Sequence, residues 1–334
     1  MKRTGRNNAL TDVSSILVGH FTSREAACGV TVILCPEGAV GGVDVRGSAP
    51  GTRETDLLQP ENLVEKVQGI VLTGGSVYGL AACDGVIRRL AGKGWGFPLQ
   101  DGNVAPIVPA AALFDLGRGK DFVPPIGPEW GDAACNAAND GPVAVGSVGA
   151  GTGAMSGTIK GGLGTASQIL DSGITVAALV AVNSLGSVID PQGGRPWEIR
   201  SELNGEFGSQ GKRAVRLPAG EKTICPTNTT LGVIATDAVL TKAQARKISQ
   251  MAHDGMARAI RPVHTMFDGD TIFCLAVGKR ELPDEDAFFS APKAGSLTDL
   301  GAAAADCMTR AIIHAVLEAE SLGAMIAFRD LEDL

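Results

Sequence analysis

Aromatic side chains are scarce in this chain: three Trp, one Tyr and ten Phe make up 4% of 334 residues. With 44% hydrophobic residues and 45 glycines, the interior falls to Ala, Val, Ile and Leu on closely approaching backbones. A lysine/arginine cluster is missing too, and the formal net charge is −7. Nucleic-acid binding, which rests on neutralising phosphates, is therefore not expected. The basic start MKRTGRNNALTD has no apolar stretch behind it, so it does not read as a secretory signal. No run of about 18 uninterrupted apolar residues occurs, and no membrane span is expected. The seven cysteines (28, 35, 83, 135, 225, 274 and 307) form no CxxC pair, which suggests neither a disulfide framework nor a zinc ribbon. A cytoplasmic protein with no cofactor and no metal is the expectation.

What is present is an alternation of short apolar runs with glycine-rich turns. ACGVTVIL, GIVLTGG, GPVAVGSVGAG and ITVAALVAVNS read as buried strands, and GLAACDGVIRRLAGKG reads as a helix. Residues 185–228 are polar, rich in Gly and Pro and weakly periodic, as in a long functional loop. Order then returns. TLGVIATDA reads as a strand, and residues 241–260 read as a helix with Thr241 and Gln244 at capping-box spacing and Pro262 as its stop. DTIFCLAVG is a further strand, and an Ala-rich helix closed by Gly323 follows. The fold class is α/β, a buried sheet covered by helices.

The junction CPTNTTLGVIATDA, residues 225–238, stands out. An Asn-Thr pair before a strand is ordinarily a turn. Its sharper reading is a cleavage point that makes Thr229 a new N-terminus. An N-terminal threonine holds a hydroxyl nucleophile and an α-amine of unperturbed pKa about 7.7–8.0, near the value a general base needs at neutral pH. Nucleophile and base then arrive on one residue. The polar loop upstream fits, because its end must move once released.

Other residues bear on that reading. In PVHTMFDGDTIF, Asp268 and Asp270 enter a strand two residues apart, so both carboxylates point to one face. A surface turn accounts for them equally well. The functional alternative is that they orient Thr229 and its ammonium, and a metal site with His264 is a third possibility. Lys160 stands alone among small residues in GTGAMSGTIKGGLGTAS; it is either a solvated turn lysine or a charge that holds the new amine's pKa down. That segment superficially resembles a nucleotide loop. However, glycines continue where a helix should open, and GK[ST] is missing. Tyr78, flanked by Gly74, Gly75 and Gly79, is either a core tyrosine or an oxyanion donor. Asn183 ends an apolar strand as a turn former or a substrate-polarising amide.

Taken in order, DVRGSAPGTRETDLL, LTGGSVYGLAACDGV, KGGLGTAS, NTTLGVIATDA and HTMFDGDT resemble the DmpA-type peptidases, the L-aminopeptidase/D-esterase family that includes nylon-oligomer hydrolases. The likeness runs from LTDVSSILVGH to the C-terminal helix. It implies self-cleavage between Asn228 and Thr229 of one hydrolase domain into an α-chain of residues 1–228 and a β-chain of 229–334. It also implies a layered α/β/β/α sandwich with N-terminal-nucleophile geometry, usually assembled as a homotetramer of cleaved heterodimers. Thr229 matches the nucleophile, and Asp268 and Asp270 match the paired positions that orient it. The β-aminopeptidase branch has Ser and Glu there and a serine nucleophile. Lys160 and Asn183 match positions near the nucleophile in the nylon-oligomer branch, and Tyr78 matches a tyrosine of the oxyanion site. The expected activity is an aminopeptidase or amidase acting on peptides or small amides. The alternatives are an endo-acting hydrolase of linear polyamides such as 6-aminohexanoate oligomers and, from other classes, a non-catalytic nucleotide or metabolite binder and a metal hydrolase.

Overall fold

The computed structural model describes residues 2–219, 228–284 and 291–334. Cys225 and the end of the polar loop at 220–227 lie outside the described residues. The strands that position the site are β1 (Leu17–Ser23), β2 (Cys28–Val45), β3 (Gly51–Arg53), β4 (Lys66–Thr73), β5 (Ala110–Ala112), β6 (Gly162–Ile169), β7 (Thr175–Asn183), β8 (Thr229–Ala238) and β9 (Thr271–Arg280). They form one hydrogen-bonded sheet in the order β6-β7-β8-β9-β2-β4-β5-β3, with β1 added beside β2. Four main helices cover it: α1 (Ala82–Gly92), α2 (Pro128–Ala137), α3 (Lys242–Ala259) and α4 (Ala294–Leu317).

The 18-residue β2 turns this sheet into two facing layers. Its first half pairs with β1 and β4, and its second half pairs with β9. The register shifts between Leu34 and Ala39, where Pro36 lacks an N–H and Gly38 has φ +73°. Side chains alternate faces at period two, and here both faces are apolar. In β7, Val176, Ala178, Val180 and Val182 pack with α3 and α4, while Ala177, Leu179 and Ala181 join a central core. That central core also takes Leu231 and Val233 of β8, Phe273 of β9 and, from the other layer, Ile33 and Leu72. Val30, Val32 and Val71 face α1 and α2. Helices, sheet, sheet, helices: the α/β/β/α layering follows from these three cores.

Strands β8 and β9 are parallel, and α3 makes the crossover that such a pair requires. Its capping box is formed as the spacing predicts: Gln244 N donates to Thr241 Oγ1 at 3.3 Å and Thr241 N to Gln244 Oε1 at 2.9 Å. Helix α4 is long and apolar enough to cross a membrane, but most of it is buried inside the fold. It ends at Leu317, six residues before Gly323, so that glycine does not cap it.

One expected strand is not there. GPVAVGSVGAG is irregular up to the 3-10 turn Gly149–Gly151, and only Gly146 bridges to Leu163. The expected long loop is irregular over residues 185–219, apart from the turns Ile199–Ser201 and Gln210–Lys212, yet it is anchored by the buried Phe207 and Val215. The six described cysteines are buried and unpaired.

Candidate active site

Strand β8 opens at the Asn-Thr junction, so Thr229 is the first residue of a fully buried strand and is itself 3% exposed. On one side the β7–β8 register sets Asn183 opposite Thr229. On the other, Asn228 bridges to Asp268 in parallel. The hydroxyl of Thr229 turns back on the preceding peptide and donates to Asn228 O at 2.5 Å, while Gly269 N donates to Thr229 Oγ1 at 3.2 Å. A Cβ at position 269 would lie 2.8 Å from Thr229 Oγ1 and 2.7 Å from Ala49 O, so only glycine fits without displacing the Thr229 hydroxyl or its neighbours.

The two aspartates are 1% exposed. Asp270 Oδ1 accepts from Thr230 N at 2.8 Å, and its Oδ2 accepts from His264 N at 3.1 Å and meets His264 Nδ1 at 2.8 Å. Asp268 Oδ2 accepts from Thr265 N at 3.1 Å and Thr265 Oγ1 at 2.5 Å; its Oδ1 accepts from Leu185 N at 3.3 Å. All four oxygens face protein donors, so the trio with His264 is a hydrogen-bonded pair of carboxylates rather than a set of free metal ligands. Burial, and next the neighbouring Asp270, push the Asp268 carboxyl above the usual range. The segment that carries DVRGSAPGT closes over this turn: Arg46 N and Gly47 N donate to Asp270 O, and Ala49 N donates to Asp268 O.

Asn183 is buried, and its amide is engaged. Oδ1 accepts from Arg118 at 2.5 Å and from Met155 N at 3.0 Å, and Nδ2 donates to Phe114 O at 2.9 Å. Lys160 is fully buried, not a solvated turn lysine. Its ammonium donates to the carbonyls of Gly151, Ala154 and Gly161 at 2.9–3.1 Å. Burial, and then the Arg118 charge, lower its pKa to about 7. Lys160 thus ties down the 151–161 loop that meets Asn183, one step removed from Thr229. The glycine-rich stretch folds as a turn and the short hairpin Met155–Ser156/Ile159–Lys160, with no helix opening after it.

Tyr78 lies on the helical turn Ser76–Gly79 and is 52% exposed, which rules out the core-tyrosine reading. Its neighbours Ser76, Val77 and Leu80 line a cavity of about 370 Å³ that reaches Asn228 and Thr229. Pro50, Thr52, Ala112, Phe114 and Phe267 complete most of the wall, and no charged side chain is among the described lining residues. A larger hollow of about 590 Å³, edged by Lys2, Asp171, Asp299 and Asp306, shares no residue with it. The smaller cavity is the one that adjoins Thr229.

Two charged residues escaped the sequence reading. Asp115 is buried, accepts from Gly75 N at 2.6 Å and is pushed up mainly by burial; Arg118 is lowered by burial and joins Gly153 O to Asn183. Their signal lies in LFDLGRGKD, where charges three apart follow an apolar run. The six described cysteines offer no thiolate: burial pushes Cys35, Cys83, Cys135, Cys274 and Cys307 to about 12 and Cys28 higher still.

Known proteins resemble this chain over nearly its whole length. The family model of peptidase family S58 matches residues 8–326. An uncharacterized aminopeptidase of Mycobacterium tuberculosis is 47% identical over 97% of this chain and 98% of its own length. A 6-aminohexanoate-oligomer endohydrolase of Kocuria sp. is 28% identical, covering 94% of this chain and 88% of that protein. Among solved structures, a Burkholderia sp. beta-aminopeptidase superposes with TM-score 0.72 at 26% identity, over 98% of this chain and 92% of that one. The L-aminopeptidase D-Ala-esterase/amidase of Ochrobactrum anthropi, described as a variant of the Ntn hydrolase fold, shares the fold with TM-score 0.71 at 23% identity over 96% and 89% of the two chains. The chain belongs to peptidase family S58, hydrolases of peptide and amide bonds.

Proposed function

We propose that this peptidase cleaves itself between Asn228 and Thr229 and then works as an N-terminal-threonine amide hydrolase. The observation that carries the reading is the Thr229 hydroxyl, buried at a strand start and 2.5 Å from the carbonyl oxygen of the very peptide to be broken. Attack of Oγ on the Asn228 carbonyl carbon forms an ester as the C–N bond breaks and the Thr229 nitrogen takes up the proton. Water then hydrolyses the ester, which leaves an Asn228 carboxylate, a free hydroxyl and a free amine. In turnover the same hydroxyl attacks the substrate amide, and the amine accepts its proton and passes it to the leaving nitrogen. An acyl ester on Thr229 remains, and water clears it.

The roles proposed for the other residues draw on the family resemblance and are supported by their positions. Asp270 holds the Thr230 N–H and so fixes the start of β8, and Asp268 lies beside the cut through its pairing with Asn228. The family resemblance assigns Asn183, across the ladder, and Tyr78, on the turn bordering the cavity, to the oxyanion; one N–H of Asn183 Nδ2 already goes to Phe114 O, and Tyr78 itself is not among the described lining residues. Lys160 and Arg118 fix the loop that positions Asn183. No cofactor or metal enters the scheme. Cytoplasmic residence and a homotetramer of cleaved heterodimers belong to the same reading and rest on the family resemblance.

The substrate class is a peptide or small amide, taken by an aminopeptidase or amidase. A second reading, endo-hydrolysis of linear polyamides, draws on the uncharged lining of the cavity, where no described side chain offers a countercharge to a substrate α-ammonium. Aminoacyl p-nitroanilides assayed beside 6-aminohexanoate oligomers separate the two. Thr229→Ala is expected to abolish hydrolysis of both; a Thr229→Ala protein that still turns over either amide refutes the nucleophile assignment.

A further inference from the structure

His264 has no part in the scheme above, yet the fold keeps it at a cost. Its φ is +55°, in the left-handed region that few non-glycine residues occupy, although His enters it more readily than most. Its Nε2 is buried without a hydrogen-bond partner, where native structures leave few polar atoms unpaired. Its ring stands edge-on to a second buried imidazole, His253, with centroids 4.8 Å apart and an interplanar angle of 74°. His253 Nε2 meets the carbonyl of Asp44 at 3.1 Å.

In return His264 grips a single atom. Its backbone N–H and its Nδ1 both converge on Asp270 Oδ2, at 3.1 and 2.8 Å. A carboxylate only accepts, so Nδ1 carries the proton, which in the neutral ring leaves Nε2 bare. The opposite oxygen of Asp270 takes the N–H of the peptide that joins Thr229 to Thr230, at 2.8 Å. Asp270 is therefore a rigid link, held at one end by His264 and holding at the other the peptide unit that carries the nucleophile.

We infer that His264 is a positioning residue for Thr229: it locks the Asp270 carboxylate and, through it, the placement of the attacking hydroxyl against the Asn228 carbonyl and against substrate. This inference rests on the proposed role of Thr229. The left-handed backbone belongs to the device, because it turns the backbone N–H and Nδ1 of one residue toward the same oxygen.

Substitutions that separate backbone from donor test it. His264→Gly accepts the positive φ but removes the side-chain donor, whereas His264→Asn accepts it and offers an amide N–H from a similar place. The expected result is a His264→Gly protein with a melting temperature close to the parent, kcat lower by roughly 10- to 100-fold and KM little changed. Self-cleavage should slow in parallel, and His264→Asn should recover most of both rates. If His264→Gly does not fold, His264→Asn against His264→Ala decides, since Ala removes the donor without placing a second carboxylate beside Asp270. Parental kcat in His264→Gly, or equal rates in the Asn and Ala variants, overturns the inference. Thr229→Ala run alongside keeps the two ideas apart. An inert Thr229→Ala with a fully active His264→Gly removes only the role of His264, while an active Thr229→Ala removes the nucleophile assignment itself.

Discussion

At position 269 a single hydrogen separates the backbone from the Thr229 hydroxyl. Gly269→Ala adds a methyl at 2.8 Å from Thr229 Oγ1 and 2.7 Å from a carbonyl oxygen, so the strand start must shift. The expected outcome is a folded protein whose self-cleavage is slower by about 10²-fold, since an ångström of misplacement has that scale of effect. Following fragment formation by denaturing electrophoresis checks it, and parental cleavage contradicts it. Asp268 gives a pH test. Its carboxyl is raised above the ordinary Asp value by burial and by Asp270, so the folded chain holds that proton more tightly than the unfolded chain does. Its contribution is complete below the ordinary value near 3.9 and is lost as pH climbs through the raised one. The melting temperature of Asp268→Asn relative to the parent should therefore rise as pH climbs above about 4. A difference that stays constant with pH denies the effect. At this scale the polar junction, the aspartate pair and the isolated lysine stood out in sequence because each interrupts a pattern. Asp115 and Arg118 did not, since their partners Gly75 and Asn183 are brought in after β4 and at the end of β7 from distant parts of the chain; His264 was read only as a possible metal ligand, although Asp270 lies six residues away.

Among the elements, the irregular segment 185–219 shows most clearly how a loop can be read in part. Its low periodicity and its many glycines marked it correctly as lacking strands and helices, but nothing local revealed how firmly it is held. Glu206 meets Arg310 Nε at 2.6 Å and Arg310 Nη2 at 2.6 Å, with His314 Nε2 at 3.1 Å, all from α4. Burial alone would raise the Glu206 carboxyl, but the hydrogen bonds from His314 and Arg310 and the Arg310 charge outweigh it and hold the pKa at about 2. That stabilisation is present above the ordinary Glu value near 4.3 and is lost as pH falls through about 2. Glu206→Gln leaves the Arg310 charge buried without its partner and should destabilise the fold by about 3–5 kcal/mol. Urea unfolding at neutral pH measures it, and a change near zero contradicts it. The misread stretch GPVAVGSVGAG has the composition of a buried strand. Its glycines, with Gly146 at φ +84° and Gly149 at φ +52°, instead let the chain wind beside β6. Strand β5, three residues long, and the Gly- and Ala-rich α2 were too short or too weakly patterned to be read.

Over the whole molecule, few aromatics and many glycines are two sides of one design. Small side chains let two sheet layers and two helix layers approach closely, and β2 belongs to both sheet layers. The apolar runs made the buried sheet evident. The folding of one sheet into two layers was evident only through the family likeness, because it depends on a register shift inside a single strand. This layering brings residues near 49, 78, 114, 183, 229 and 268 to one end of the sandwich, where the cavity opens beside Thr229. The whole scheme turns on whether one peptide bond is broken there. Intact-mass spectrometry of the purified chain, with N-terminal sequencing of each species, tests that directly. The account predicts two polypeptides, residues 1–228 and 229–334, with the second beginning Thr-Thr-Leu-Gly, and a single uncut chain from Thr229→Ala. An active preparation consisting solely of the unbroken 334-residue chain would contradict it.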